Sequence, residues 1–207
     1  IMGLGTNAAI IGSLNMDHRS TGVSNVIIRN LHIANPQGVG DGDTIIIQLG
    51  AHHIWIDHCT LSDSPDGLLD IIEGSDYITI SWCKFTYTWK RGHRFTSLFS
   101  KKDAAVADRG KLKITYHHNW WSTGCQERMP RGRFGQVHCF NNYYFAPGNN
   151  YCIRAGVEAQ ILVENNFFRE VNDPYAPWSG TDGKISASGN AFDNITGTVS
   201  PGTDQVF

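Results

Sequence analysis

The sequence predicts an all-β chain wound as a right-handed, single-stranded parallel β-helix, a solenoid. Three observations carry that reading: one eight-residue pattern recurs at a near-fixed period, its apolar places alternate, and asparagine fills one of its places in four successive copies. The copies begin at Val26, Ile54, Ile78, Ile114, Val137, Ile161 and Ile185, spaced by 28, 24, 36, 23, 24 and 24 residues. A regular period of this size is the mark of stacked coils.

Within a copy, the first place is always Val or Ile. The third is mostly apolar (Ile28, Ile56, Ile80, Tyr116, Cys139, Val163, Ala187), and the last is Ile, Leu, Phe, Trp or Tyr. Alternation between places one and three is the period of a strand with one buried face. Place six holds Leu31, Cys59 and Cys83, then Asn119, Asn142, Asn166 and Asn190. Stacked amides bond from rung to rung. Asparagine also tolerates left-handed backbone, so place six reads as the corner between two short strands. A doubly wound sheet would need amphipathic helices with capping signals between its strands, and none is visible. The aromatic pairs Trp120-Trp121, Tyr143-Tyr144 and Phe167-Phe168 that close three copies read as core and as packing under loops.

The 207 residues, 41% of them hydrophobic, allow one sizeable core, and the regular period leaves no linker to divide it. We expect residues 1–207 to form a single catalytic β-helix domain, truncated at its N-terminal cap because Ile1 to Asn7 begin inside a strand-like pattern without a leader. The formal charge of −2 gives no general attraction to nucleic acid or to an anionic membrane, and no apolar run has the length of a membrane span. Five cysteines without CxxC spacing do not suggest zinc. Cys59 and Cys83, on adjacent rungs, read as stacked thiols rather than a disulfide. The histidine pairs His52-His53 and His117-His118 are expected to split across opposite strand faces, which removes them as metal ligands.

Acidic residues are placed more pointedly. Asp41, Asp43, Asp66 and Asp70 precede the copies at Ile54 and Ile78 on two consecutive coils. Rungs ~4.8 Å apart bring such carboxylates within reach of one ion, and their repulsion is offset by protons or by a cation. An all-oxygen ligand set suits calcium. The plain alternative is that these aspartates are turn residues, since each run contains a glycine. Cations follow along the chain: Lys90, Arg91, His93 and Arg94 in the long interval before Ile114, and Arg128, Arg131 and Arg133 before Val137. Arg131 and Arg133 share a strand face, whereas Arg128 needs a bend near Pro130 to join them. Carboxylates beside guanidinium and ammonium groups suit an anion bridged by a metal.

The runs Trp55-Ile-Asp57-His58, Asp66-Gly-Leu-Leu-Asp70, Ser75-Asp76-Tyr77-Ile-Thr-Ile-Ser81, Tyr116-His-His-Asn119 and Arg128-Met-Pro-Arg131-Gly-Arg133-Phe-Gly-Gln-Val-His138 resemble the pectate lyases of polysaccharide lyase family one. The resemblance covers about residues 3 to 192. It implies a monomeric, secreted enzyme that cleaves α-1,4-galacturonan, the de-esterified pectin backbone, by calcium-dependent β-elimination to 4,5-unsaturated products. It makes Asp43, Asp66 and Asp70 the calcium ligands with Asp41 beside them, Arg128 the proton-abstracting base, and Lys90 and Arg133 the binders of substrate carboxylate. Arg94 rivals Lys90 because residues 90 to 109 depart from the family pattern, and Arg131 stands with the substrate-binding cations. A calcium-independent pectin lyase, a galacturonan hydrolase and a non-catalytic polysaccharide-binding β-helix are the competing readings.

Overall fold

The computed structural model describes residues 1–90 and 92–200, and these wind into a right-handed parallel β-helix of three sheets. The first sheet stacks Ser24–Arg29, His52–Asp57, Asp76–Ser81, Lys113–His117, Gln136–Phe140, Gln160–Glu164 and Lys184–Ser188. The second runs from Ala9–Ile11 through His32–Ala34, Thr60–Ser62, Lys84–Thr86, Trp120–Trp121, Tyr143–Phe145 and Phe167–Arg169 to Ala191–Asp193. The third stacks Leu14–Asp17, Ile45–Gln48, Leu69–Ile71, Ser97–Phe99, Arg131–Gly132, Ile153–Ala155 and Tyr175–Pro177.

The repeat is the register. Val26 pairs with Ile54, Ile54 with Ile78, Ile78 with Ile114, and so through Val137 and Ile161 to Ile185. Places one, three and eight point inward and, apart from Val26, Ala187 and Phe192 towards the ends of the stack, form the buried core, in which Phe85, Trp121, Tyr144 and Phe168 stack face to face down the axis. Each ring buried against the next excludes water from both faces.

Place six is a buried ladder. Asn119, Asn142 and Asn166 each donate from Nδ2 to the Oδ1 of the next asparagine, at 3.0, 2.9 and 3.0 Å. Each also donates to the place-three carbonyl one coil back, on Ile80, Tyr116 and Cys139. The thiols of Cys59 and Cys83 reach the corresponding carbonyls of Ile28 and Ile56, so cysteine meets the same demand with a weaker donor. All five cysteines are free and buried.

Three expectations need correction. The left-handed corner residue is place five, not place six: Asn30, His58, Trp82, His118, Asn141 and Asn165 all have φ between 50° and 57°. The histidine pairs do not separate, because His53 and His118 are left-handed at φ 55° and 56° and swing their rings onto His52 and His117. The aromatic pairs do separate, Trp121, Tyr144 and Phe168 lying in the core while Trp120, Tyr143 and Phe167 form a stacked column outside. The long interval before Ile114 places much of its extra length after Phe99, in the segment that carries the short 3-10 turn Val106–Asp108.

Candidate active site

The third sheet carries the site on its outer face. Ile46, Asp70, Leu98, Arg131 and Arg154 occupy successive rungs of one column, so charge changes from acid to base along the axis. Asp41, Asp43, Asp66, Asp70, Gln48, His93, Lys101 and Arg128 line a cleft of about 520 Å³ at the acidic end. The four predicted acids and the predicted base therefore share one cavity.

Local chemistry explains how. Asn35, fully buried, accepts from the Val39 amide and donates to the carbonyls of Val39 and Asp43, and this pins the loop that delivers Asp43. Asp43 Oδ1 accepts the Gly67 amide at 2.8 Å, and Asp70 Oδ1 accepts the Leu98 amide at 3.1 Å. Gly67 has no room for a side chain: a Cβ there would lie 2.5 Å from Asp70 Oδ1 and 2.6 Å from Asp43 Oδ1. Asp66 turns instead toward His93, whose Nδ1 is 3.1 Å from its Oδ1. Arg128 is left-handed at φ 59°, which bends the chain just before the strand Arg131–Gly132 and sends the guanidinium into the acidic cleft.

Electrostatics divide the acids. Asp43 and Asp70 are 3% and 8% exposed. Burial, then the neighbouring Asp70 and Asp66 carboxylates, push Asp43 up to about 9. Burial pushes Asp70 up to about 7 against the opposing Leu98 amide. The His93 hydrogen bond holds Asp66 below the usual carboxylate range. Two carboxylates that resist ionisation side by side are a site in want of a proton or a cation.

The remaining predicted cations lie outside this cleft. Arg133 is tied to Asp103 and to the Ser100 carbonyl. Arg131 lies over the Trp178 ring at 3.8 Å, one rung along the groove. Lys90 is exposed, and Arg94 is half-buried with an unpartnered Nε. The sequence reading missed Lys101 as a cleft residue, and it placed His93 among the cations without its contact to Asp66. A lysine after a third-sheet strand was findable from the register of Ser97–Phe99, but the rotation of His93 onto Asp66 has no sequence signal.

A family model described as pectate lyase matches residues 1–199. The chain belongs to the pectate lyase family. It is 41% identical over 147 residues to the pectate trisaccharide-lyase of Thermotoga maritima, a match covering 67% of this chain and 37% of that protein. It is 36% identical over 204 residues to the pectate lyase of Bacillus subtilis, covering 80% of this chain and 46% of that one. Among solved structures, the pectate lyase of Bacillus sp. N165 in complex with trigalacturonate matches with TM-score 0.79 and 29% identity, covering 99% of this chain and 66% of that one. The chain thus spans less than half the length of those two curated relatives.

Among the described residues, no three His, Cys, Asp or Glu side chains stand together as a closed ligand set. The reason is visible: Asp66 faces His93 and Asp41 is exposed, leaving Asp43 and Asp70 as the converging pair. Those two oxygens converge over Gly67 in a cleft that Asp41, Asp66 and Gln48 also line, and such oxygen donors are the kind that calcium takes, with His93, Lys101 and Arg128 on the cleft walls. Among the described residues no helix is long and apolar enough to cross a membrane.

Proposed function

We propose that this chain is a secreted, calcium-dependent pectate lyase acting on de-esterified α-1,4-galacturonan by β-elimination. The observation that carries the proposal is the cleft shared by Asp43, Asp66, Asp70 and Arg128 on the outer face of the third sheet. Asp43 and Asp70, with Asp66 and Asp41 beside them, would hold calcium. Bound there, the ion would withdraw charge from the uronate carboxylate and favour loss of the adjacent C5 proton. Arg128 would take that proton. The C5–H electrons form the C4–C5 double bond, the C4–O bond breaks, and the departing oxygen is protonated by water. Arg131, one rung along, would meet a neighbouring carboxylate, and Lys101 at the cleft wall would do so by leaving its ion pair with Glu73. We assign the substrate-binding roles of Arg133, Lys90 and Arg94 to the rim, since their side chains lie outside the cleft.

Polygalacturonate and calcium should yield the unsaturated product, read by its ultraviolet absorbance, and chelator should abolish it. Absence of that absorbance with calcium present would sink the lyase reading. The open arrangement of the acids favours one second reading, a calcium-independent pectin lyase. Turnover of methyl-esterified pectin that survives chelator would decide for it.

A further inference from the structure

We propose that Phe95 is the positioning residue for Arg128, holding the guanidinium of the base by its ring face. The proposal rests on the lyase reading of the same site.

Arg128 is the cleft arginine, and it is held differently from most others. Arg29, Arg109, Arg133 and Arg154 are each anchored by a carboxylate. Arg128 has no such anchor among the described residues: its Nε is buried without a hydrogen-bond partner. What it does have is the Phe95 ring, with Cζ 4.7 Å from the centroid. Phe95 itself is fixed twice. Its backbone bridges Glu127, and the next two amides, of Thr96 and Ser97, donate to the carbonyls of Glu127 and Arg128 at 2.9 and 2.7 Å. Its ring meets His93 edge to face, centroids 3.9 Å apart at 81°, and His93 is in turn held by Asp66. Contact therefore runs from the acid cluster through imidazole and phenyl to the guanidinium.

A ring face attracts a cation without taking its protons, because the ring has no acceptor lone pair and no charge. A carboxylate in the same place would favour the charged guanidinium more strongly and would occupy its N–H groups. The aromatic contact thus orients an arginine whose nitrogens stay available, and misplacing a reacting group by about an ångström is costly.

The test uses Phe95→Leu, which keeps apolar bulk and loses the ring face, and Phe95→Tyr, which keeps both. On polygalacturonate with calcium, Phe95→Leu should lose roughly tenfold in kcat with KM within about twofold, while Phe95→Tyr stays near wild type. Fluorinated phenylalanine at position 95, which retains shape while draining the ring face of charge, should lower kcat further with each fluorine. This series stands in if the leucine variant does not fold. A kcat for Phe95→Leu within about threefold of wild type, an equal loss in Phe95→Tyr, or no trend with fluorination would overturn the role. A wild-type protein silent on polygalacturonate would instead overturn the lyase reading itself, and the Phe95 role with it.

Discussion

Arg128, Asp43 and Gly67 carry the proposed chemistry, and each supports a prediction. Arg128→Lys retains charge but loses the planar fork, so turnover should fall by about 10²- to 10⁴-fold while oligogalacturonate still binds by calorimetry. An arginine can accept a proton only once it has lost one, so turnover should peak on the alkaline side of neutrality, and a peak in acid would contradict the proposed role of Arg128 as base. Gly67→Ala puts a methyl within 2.6 Å of both converging carboxylate oxygens, so calcium affinity measured by calorimetry should drop with the fold retained. The raised value of Asp43, from 3.8 to about 9, has a definite sign for stability. The folded state holds that proton more tightly than the unfolded chain, so the contribution is complete below pH ~4 and is lost as pH rises toward 9. The melting temperature in chelator should therefore fall between pH 5 and 9, and calcium should reverse the fall; a flat chelator profile would mean that Asp43 is not protonated. These residues were also where sequence pattern reached furthest. Aspartates on consecutive coils before aligned repeats were expected to meet, and they line one cleft. Lys101 escaped notice because its run, Lys101-Lys102-Asp103, looks like any solvated surface stretch.

At the scale of the element, the asparagine ladder from Asn119 to Asn190 ties together the place-six corners of four successive coils. Asn142 accepts from the Asn119 backbone and side-chain amides and donates to Tyr116 and Asn166, all inside the protein. Asn142→Ala leaves several of these groups unpaired and should cost roughly 3 kcal/mol or more in denaturant unfolding. Asn190, at the half-buried end of the ladder, should cost less on the same substitution. Equal costs would show that the ladder does not act as a continuous chain. The ladder was legible because one residue type recurs at one place, whereas the left-handed turn at place five was not. Asn30 and Asn141 share this conformation with His58, His118 and Trp82, so no one side-chain type marks the place, and the closure of the coil imposes the turn on whatever residue stands there.

At the scale of the molecule, a groove that changes from acid to base along its length suits a polyanion despite the net charge of −2. Because the attraction is local and partly exposed, KM for polygalacturonate should rise with ionic strength while kcat holds; an unchanged KM would argue that Arg131 and Lys101 do not touch substrate. What the sequence by itself determined is the coil: period, inward faces, core and register all follow from alternation and recurrence, which are local and add from rung to rung. What only the tertiary structure decided is the aim of side chains after left-handed residues, as at Arg128, His53 and His118, and which cation reaches the acids. A single rotation of the backbone redirects every atom beyond it, and the cause of that rotation lies in the neighbouring coils rather than in the residue that adopts it.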